Sequence, residues 1–136
     1  MAKIQVNTDG GSRGNPGPAA VGVVITREGE LVMEKGRTIG STTNNQAEYQ
    51  ALAWAVELLD GVALAGDEVE FVLDSQLVER QMRGVYKVKD AGLYEWRQKI
   101  ITDLARVPWK FSFRSVLREQ NKAADRMVNA ALDGQI

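Results

Sequence analysis

The chain has 136 residues, 44% of them hydrophobic and 26% charged, with a net charge of −1, and this ordinary globular composition predicts a single domain over residues 1–136. It contains no cysteine and no histidine, which excludes disulfide frameworks, thiolate or imidazole zinc sites, and Ser–His or Cys–His catalysis. No apolar run approaches the ~20 residues of a membrane span and no signal-peptide core precedes the first strand, so we expect a cytoplasmic protein with no membrane partner.

The first predicted strand, Lys3–Asp9, ends in an acidic residue that a glycine-rich loop follows at once. Alternation places Asp9 on the face opposite Ile4 and Val6. Ligands of open α/β sheets bind beyond the carboxyl ends of strands, so Asp9 is placed for chemistry, although a simple turn is the commoner use of Asp and Gly. A predicted hairpin follows, with strands Ala20–Thr26 and Leu31–Thr38.

The first predicted helix, Asn44–Leu59, carries the second acidic candidate, Glu48. Thr43 and Asn44 are typical helix-start residues. Helical spacing from Glu48 meets four apolar positions, Ala51, Leu52, Ala55 and Leu59. A carboxylate on this buried stripe needs a partner, and residues 38–79 contain no lysine or arginine. Glu48 therefore calls for a metal ion or a distant arginine.

The next predicted strand, Glu68–Leu73, is followed directly by Asp74. A short helix is predicted over Ser75–Arg83, because from Ser75 onward the apolar residues recur at the spacing of a helix and no longer at that of a strand. Asp74 is therefore another acid at the end of a strand. The alternative is that Asp74 or Ser75 only caps the helix.

The fourth acidic candidate, Asp125, flanks the apolar stripe of the last predicted helix, and Asn121 lies one turn earlier on the same side. An exposed helical acid is the alternative interpretation. Three predicted elements complete the chain, the amphipathic helix Ala91–Val107, the strand Trp109–Val116 and the helix Gln120–Leu132. A hairpin followed by alternating strands and helices is typical of an α/β fold with a mixed sheet.

Charge is distributed unevenly along the chain. Residues 1–79 contain 5 basic and 12 acidic residues, whereas residues 80–136 contain 12 basic and 6 acidic residues. A phosphate backbone responds to a local basic patch and not to net charge, so the small net charge does not exclude a nucleic-acid partner. Solvated helix faces are the alternative use of these basic residues.

Four segments together resemble the type 1 ribonuclease H family. They are TDGGSRGNPG around Asp9, TTNNQAEYQAL around Glu48, LDSQLV around Asp74 and REQNKAAD ending in Asp125. The resemblance implies a five-stranded sheet of order 3-2-1-4-5, with strand 2 antiparallel, flanked by helices. It also implies an endonuclease that cuts the RNA strand of RNA–DNA hybrids and leaves 5′-phosphate and 3′-hydroxyl ends.

The resemblance makes Asp9, Glu48, Asp74 and Asp125 the catalytic and metal-binding residues, holding two divalent ions. Mg²⁺ is the expected ion, with Mn²⁺ as an alternative, because hard cations prefer oxygen ligands. Two ions can clamp the attacking and leaving oxygens of a phosphodiester hydrolysis. We expect the protein to act as a monomer.

The resemblance also assigns substrate contacts. Amide side chains both donate and accept, so they can read the 2′-hydroxyl that separates RNA from DNA. Helix capping and turn formation are the alternative roles for several of these residues. The predicted substrate-binding residues are Asn15, Thr43, Asn44, Asn45, Gln76, Arg118 and Asn121.

Two features depart from the family pattern. Many members carry an extra basic helix before the long amphipathic helix, whereas here RGVYKVKDAG leads directly into it, leaving at most Arg83, Lys87 and Lys89. Many members also have a histidine before the fourth acid, and this chain has none, with Arg118 in that region. The chain therefore resembles a histidine-free branch that lacks the basic protrusion.

Three hypotheses follow from the sequence. A metal-dependent ribonuclease acting on hybrids is favoured. A binding module that has lost catalysis is the second, and the presence of all four acids argues against it. A related nuclease acting on DNA or double-stranded RNA is the third, and double-stranded RNA stays open as a further substrate.

Overall fold

The computed structural model describes residues 1–136, which form five strands and four α-helices. A 3-10 turn, Arg118–Gln120, precedes the last helix. The elements in chain order are β1 (Lys3–Ser12), β2 (Gly17–Arg27), β3 (Glu30–Thr42), α1 (Asn44–Leu58), β4 (Glu68–Leu73), α2 (Gln76–Met82), α3 (Ala91–Leu104), β5 (Lys110–Ser115) and α4 (Lys122–Leu132).

The five strands form one mixed sheet in the order β3-β2-β1-β4-β5. Strand β2 is antiparallel to both β1 and β3, while β4 is parallel to β1 and to β5. This topology confirms the predicted fold. The parallel strands β1 and β4 end at the same edge of the sheet, which is where open α/β sheets place their ligands.

Helices cover both faces of the sheet. On one face, Val6 of β1 and Phe71 of β4 pack against Leu52 of α1 in a main core that also includes Ile100 of α3. On the other face, α4 lies across β1, β2 and β3. Strand β2 is buried along most of its length, because alternate side chains meet α1 on one face of the sheet and α4 on the other. None of the helices is long and apolar enough to cross a lipid bilayer.

The boundaries of several elements differ from the sequence predictions. Strand β1 continues past Asp9 to Ser12, because Gly10 and Gly11 keep pairing with β2. Helix α3 ends at Leu104 and not at Val107. The last helix begins at Lys122 and not at Gln120, since the preceding residues form the 3-10 turn. Main-chain pairing through glycine leaves no apolar pattern, so the sequence could not mark the end of β1.

Candidate active site

Three carboxylates meet at the edge of the sheet where β1 and β4 end. Carboxylate oxygens of Asp9, Glu48 and Asp74 lie within 4.8 Å of one another. In the parallel register of β1 and β4, Asn7 lies beside Val72. Asp9 and Asp74 each come two residues later in the chain, so both lie at the same edge of the sheet. Asp9 and Glu48 are buried, and Asp74 is half-buried. Three acids that are far apart in sequence therefore lie together at this edge of the sheet.

Glu48 reaches this edge because α1 packs very closely on β1. A Cβ atom at Gly10 would overlap the main chain of Ala47 and lie 2.5 Å from the Glu48 nitrogen, so only glycine allows the approach. The Gly10 N–H donates a hydrogen bond to Glu48 Oε1 over 3.2 Å. The glycine therefore brings the helix close and also orients its carboxylate.

Asp125 arrives from the opposite face of the sheet, on α4. Gly22 pairs with Asp9 across the sheet, and a Cβ atom on Gly22 would overlap the main chain of Ala124. This contact lets the start of α4 lie directly on the sheet. Asp125 is half-buried and lines the same cavity as Asp9 and Glu48, although it lies outside the tight group of three.

Burial and neighbouring charges destabilise the charged forms of Asp9 and Glu48. Burial raises the pKa of Asp9 to about 7, and the charges of Asp74 and Asp125 add to the rise, while a hydrogen bond with Glu48 lowers the value. Burial also holds the pKa of Glu48 well above its usual range, and the charge of Asp9 acts in the same direction. None of the ion pairs in the protein includes any of these four carboxylates.

The donor atoms fit a hard divalent cation. Glu48 Oε2 is buried and has no hydrogen-bond partner in the protein. A buried carboxylate oxygen without a partner carries a large desolvation penalty, which a bound cation would offset. Every available ligand in the group is an oxygen, which suits Mg²⁺ or Mn²⁺. These residues therefore fit the metal that the sequence predicts.

Asp9, Glu48 and Asp125 line an open cavity of about 380 Å³. The predicted contact residues Asn44, Asn45 and Arg118 line it together with the acids. Arg13, which the sequence did not single out, also lines this cavity and forms an exposed ion pair with Asp133 at 2.7 Å. Its place in the glycine-rich loop beside Asp9 was the signal that could have identified it.

A shallow groove continues from this cavity along the start of α1, where Asn15 and Thr43 join Asn44 and Asn45. Asn15 Oδ1 accepts a hydrogen bond from the Asn44 nitrogen over 3.0 Å, and Asn44 Oδ1 accepts one from the Ser12 nitrogen over 2.9 Å. Thr43 caps α1 through its side chain. The Asn45 side chain is exposed and makes no hydrogen bond within the protein.

The remaining predicted contacts fall in two different environments. Gln76 and Arg118 are exposed near the carboxylates, Gln76 at the start of α2 and Arg118 on the 3-10 turn. Asn121 differs from the expectation of a direct substrate contact, because it is only 1% exposed. Its side chain is hydrogen-bonded to Asn7, Thr8 and Asp74. Burial under α4, which the sequence pattern does not reveal, removes it from the surface.

Comparison with known proteins agrees with this geometry. The family model described as reverse transcriptase-like matches residues 7–131. Ribonuclease HI of Halobacterium salinarum is 42% identical over 96% of this chain. The crystal structure of the RNase H1 from that organism superposes with a TM-score of 0.90, covering 97% of this chain and 98% of that one.

The chain belongs to the type 1 ribonuclease H family.

A second solved member is LC11-RNase H1, crystallised in complex with an RNA/DNA hybrid, with a TM-score of 0.92 and 48% identity over 97% of this chain and 98% of that one. The chain spans 65% of the curated Halobacterium relative. It spans 36% of the bifunctional protein Rv2228c of Mycobacterium tuberculosis, to which it is 39% identical over 96% of its own length.

In this ribonuclease H domain, no helix lies between α2 and α3. The sequence predicted that a basic protrusion is missing at this position. Hydrogen bonds through Gln81 hold both the connecting segment and α3 to α2. Gln81 Nε2 donates to the Lys87 carbonyl over 3.4 Å, and Arg97 Nε donates to the Gln81 carbonyl over 2.7 Å. Tyr86 and Tyr94 are exposed beside this segment.

Proposed function

We propose that this protein is an endoribonuclease that hydrolyses the RNA strand of RNA–DNA hybrids. The observation that carries the proposal is the convergence of Asp9, Glu48 and Asp74 within 4.8 Å, with a buried and unpartnered oxygen on Glu48. Ordinary structural acids do not retain such an oxygen, because its desolvation is not offset. Membership of the family supports the same reaction.

The four carboxylates, Asp9, Glu48, Asp74 and Asp125, would hold two Mg²⁺ ions, with Mn²⁺ as the alternative. Bound ions would supply Lewis-acid activation of water and stabilisation of the leaving oxygen in an in-line displacement. In the balanced reaction, a water oxygen bonds to phosphorus and the bond to the 3′ oxygen breaks. The released 3′ oxygen takes up a proton, which gives 5′-phosphate and 3′-hydroxyl ends.

The protein itself positions the substrate. The exposed Asn45 amide lies beside the carboxylates and has both a donor and an acceptor free for the 2′-hydroxyl of RNA. Arg118 lines the same cavity and presents a cation to a phosphate. Asn15 and Asn44 tie the loop after β1 to the start of α1, which carries Asn45, through the hydrogen bonds described above.

We further propose that one copy of the chain is sufficient for the reaction. The four acids all come from the same chain, and three of them line one cavity together with the contact residues Asn45 and Arg118. A monomer therefore contains a complete set of the groups that the mechanism requires.

The substrate class can be tested with three labelled duplexes. An RNA–DNA hybrid, a double-stranded RNA and a double-stranded DNA of the same sequence are each incubated with Mg²⁺, Mn²⁺ or chelator. We expect cleavage of the hybrid with either metal and none with chelator. Equal cleavage of the double-stranded DNA would overturn the proposal, and equal cleavage of the double-stranded RNA would broaden the substrate class to RNA duplexes in general.

A further inference from the structure

Asn121 occupies a helix-capping position without capping the helix. It directly precedes α4, and asparagine there usually accepts hydrogen bonds from backbone N–H groups of the first turn. Its side chain makes no such bond. The side chain is directed instead into the protein, toward β1 and the carboxylates, and the residue is 1% exposed.

The Asn121 amide has a partner on each side. Its Nδ2 donates to the Thr8 carbonyl over 2.9 Å and to Asp74 Oδ2 over 3.2 Å. Its Oδ1 accepts from Asn7 Nδ2 over 3.0 Å. The Thr8 carbonyl can only accept, so the amide cannot turn over without placing two acceptors against each other. The orientation of the amide is therefore fixed.

The Asp74 carboxylate, like that of Glu48, receives one hydrogen bond from the protein. The bond from Asn121 is the only hydrogen bond that the protein donates to the Asp74 carboxylate. This hydrogen bond holds Asp74 Oδ2, whereas Asp74 Oδ1 has no hydrogen-bond partner in the protein. A fixed carboxylate with one free oxygen is suited to bind a cation in a single direction.

The main chain of Asn121 also makes hydrogen bonds that position the fourth acid, Asp125. Its carbonyl accepts the Asp125 N–H over 3.2 Å, and its own N–H donates to the Arg118 carbonyl over 3.0 Å. The residue therefore touches Asp74 with its side chain and starts the helical turn that carries Asp125. One residue fixes the third and fourth acids relative to β1.

We propose that Asn121 is a positioning residue that sets the metal affinity of the site by orienting the Asp74 carboxylate. The inference rests on the proposed function, because it takes Asp74 to be a metal ligand. Removal of a group that hydrogen-bonds to a metal ligand typically changes metal affinity 10–100-fold. A residue that only braced α4 would change stability and leave the metal affinity of the folded protein unchanged.

A double-mutant cycle separates these two roles. Mn²⁺ affinity is measured by calorimetry on metal-free protein for four proteins: the natural chain, Asn121→Ala, Asp74→Asn and the double variant. We expect Asn121→Ala to weaken Mn²⁺ binding by about tenfold when Asp74 is present. In the Asp74→Asn background we expect the same change to have no further effect, because the oriented carboxylate is already gone.

Two further variants secure the interpretation. Asn129→Ala is the matched control. It removes an amide of the same helix that donates to the main-chain carbonyl of Asp125 and not to a carboxylate. We expect this variant to retain the natural Mn²⁺ affinity. The Asn121→Ser variant replaces Asn121→Ala if the alanine variant does not fold. Serine caps helices well, but its side chain is too short to reach both Thr8 and Asp74. The serine variant is expected to show the same loss of affinity.

An equal loss of Mn²⁺ affinity in both backgrounds, or no loss in either, would overturn the inference. Either result can occur while the natural protein still cleaves hybrids, in which case the proposed function stands. Failure of the natural protein to cleave hybrids would instead overturn the proposed function, and the Mn²⁺ cycle would still decide the role of Asn121.

Discussion

At the scale of single residues, Asn45 is the amide that the fold leaves free beside the carboxylates. Its neighbour Asn44 holds the Ser12 main chain, whereas the Asn45 side chain is exposed and has no partner within the protein. The fold therefore places the two asparagines in different environments, although the sequence assigns them the same role.

We expect Asn45→Ala to weaken the preference for hybrid over double-stranded DNA by roughly 1–3 kcal/mol, because a partner group in the complex is left unpaired. Its free energy of unfolding should stay within about 0.5 kcal/mol of the natural value. Binding of both duplexes in Ca²⁺, together with urea unfolding, measures the two effects. Asn44→Ala is the comparison and should lose stability. An unchanged preference in Asn45→Ala would remove this residue from the substrate contacts.

At the scale of elements, close packing of α1 on β1 places Glu48 beside Asp9. The approach depends on Gly10, where a side chain would overlap the Ala47 main chain. The neighbouring Gly11 is a matched control, because a Cβ atom there would lie 3.7 Å from Val128 Cγ1 in an ordinary contact.

Gly10→Ala is expected to destabilise the fold by roughly 1–3 kcal/mol, since the overlap forces α1 away from β1. The stabilisation by added Mn²⁺ should also fall, because Glu48 moves away from Asp9. Thermal unfolding with chelator and with Mn²⁺ measures both quantities. Gly11→Ala should retain stability close to that of the natural protein. Equal behaviour of the two variants would show that the close approach at Gly10 is not required.

The Asp67 side chain connects three segments of the chain at the ends of the strands that lie away from the four carboxylates. Its carboxylate is buried and accepts the N–H groups of Leu64 and Ala2, and it pairs with Arg27 at 2.7 Å. The hydrogen bonds from Leu64 and Ala2, followed by that from Arg27, hold the pKa of Asp67 well below its ordinary value of 3.8. The stabilisation is therefore present above pH 3.8 and is lost as the pH falls further below it.

Asp67→Asn should be less stable than the natural protein at neutral pH. The difference should shrink as the pH falls below about 3.8, because the natural protein then protonates Asp67 and loses the same interactions. Urea unfolding of both proteins at a series of pH values measures this convergence. Two stability curves that stay parallel down to acid pH would contradict the assignment.

Element types were predictable because they depend on local pattern. The apolar stripe of α1 predicted that Glu48 is buried, and its exposed fraction is 6%. Strand order came from the family resemblance, since pairing of β1 with β4 is not a local property. Asn121 shows the limit most clearly, because its burial depends on contacts with Thr8 and Asp74, distant in sequence. A capping residue and a buried amide look the same in sequence.

At the scale of the whole molecule, charge is separated along the chain. The second part, residues 80–136, has 12 basic and 6 acidic residues, and Arg118 brings part of this charge to the rim of the cavity. The carboxylates repel a phosphate backbone when no cation is bound. Basic residues around the cavity therefore have to supply the attraction for the duplex.

Arg118→Ala should weaken hybrid binding similarly for all sequences and lower the salt slope of binding by about one unit, because one phosphate contact is lost. Lys99→Ala is the control, since Lys99 is paired with Asp103 on α3. Hybrid binding in Ca²⁺ over a range of salt concentrations measures the slope. A slope equal to that of the natural protein would make Arg118 an ordinary surface residue.

We propose that the four carboxylates hold the metal ions that cut the RNA strand of a hybrid. The most direct measurement follows a hybrid labelled on both strands, with Mg²⁺, in the natural protein and in Asp74→Asn. We expect the natural protein to cut only the RNA strand, leaving 5′-phosphate and 3′-hydroxyl ends, and Asp74→Asn to bind the hybrid without cutting it. Cleavage of the DNA strand, or cleavage by Asp74→Asn at the natural rate, would contradict the account.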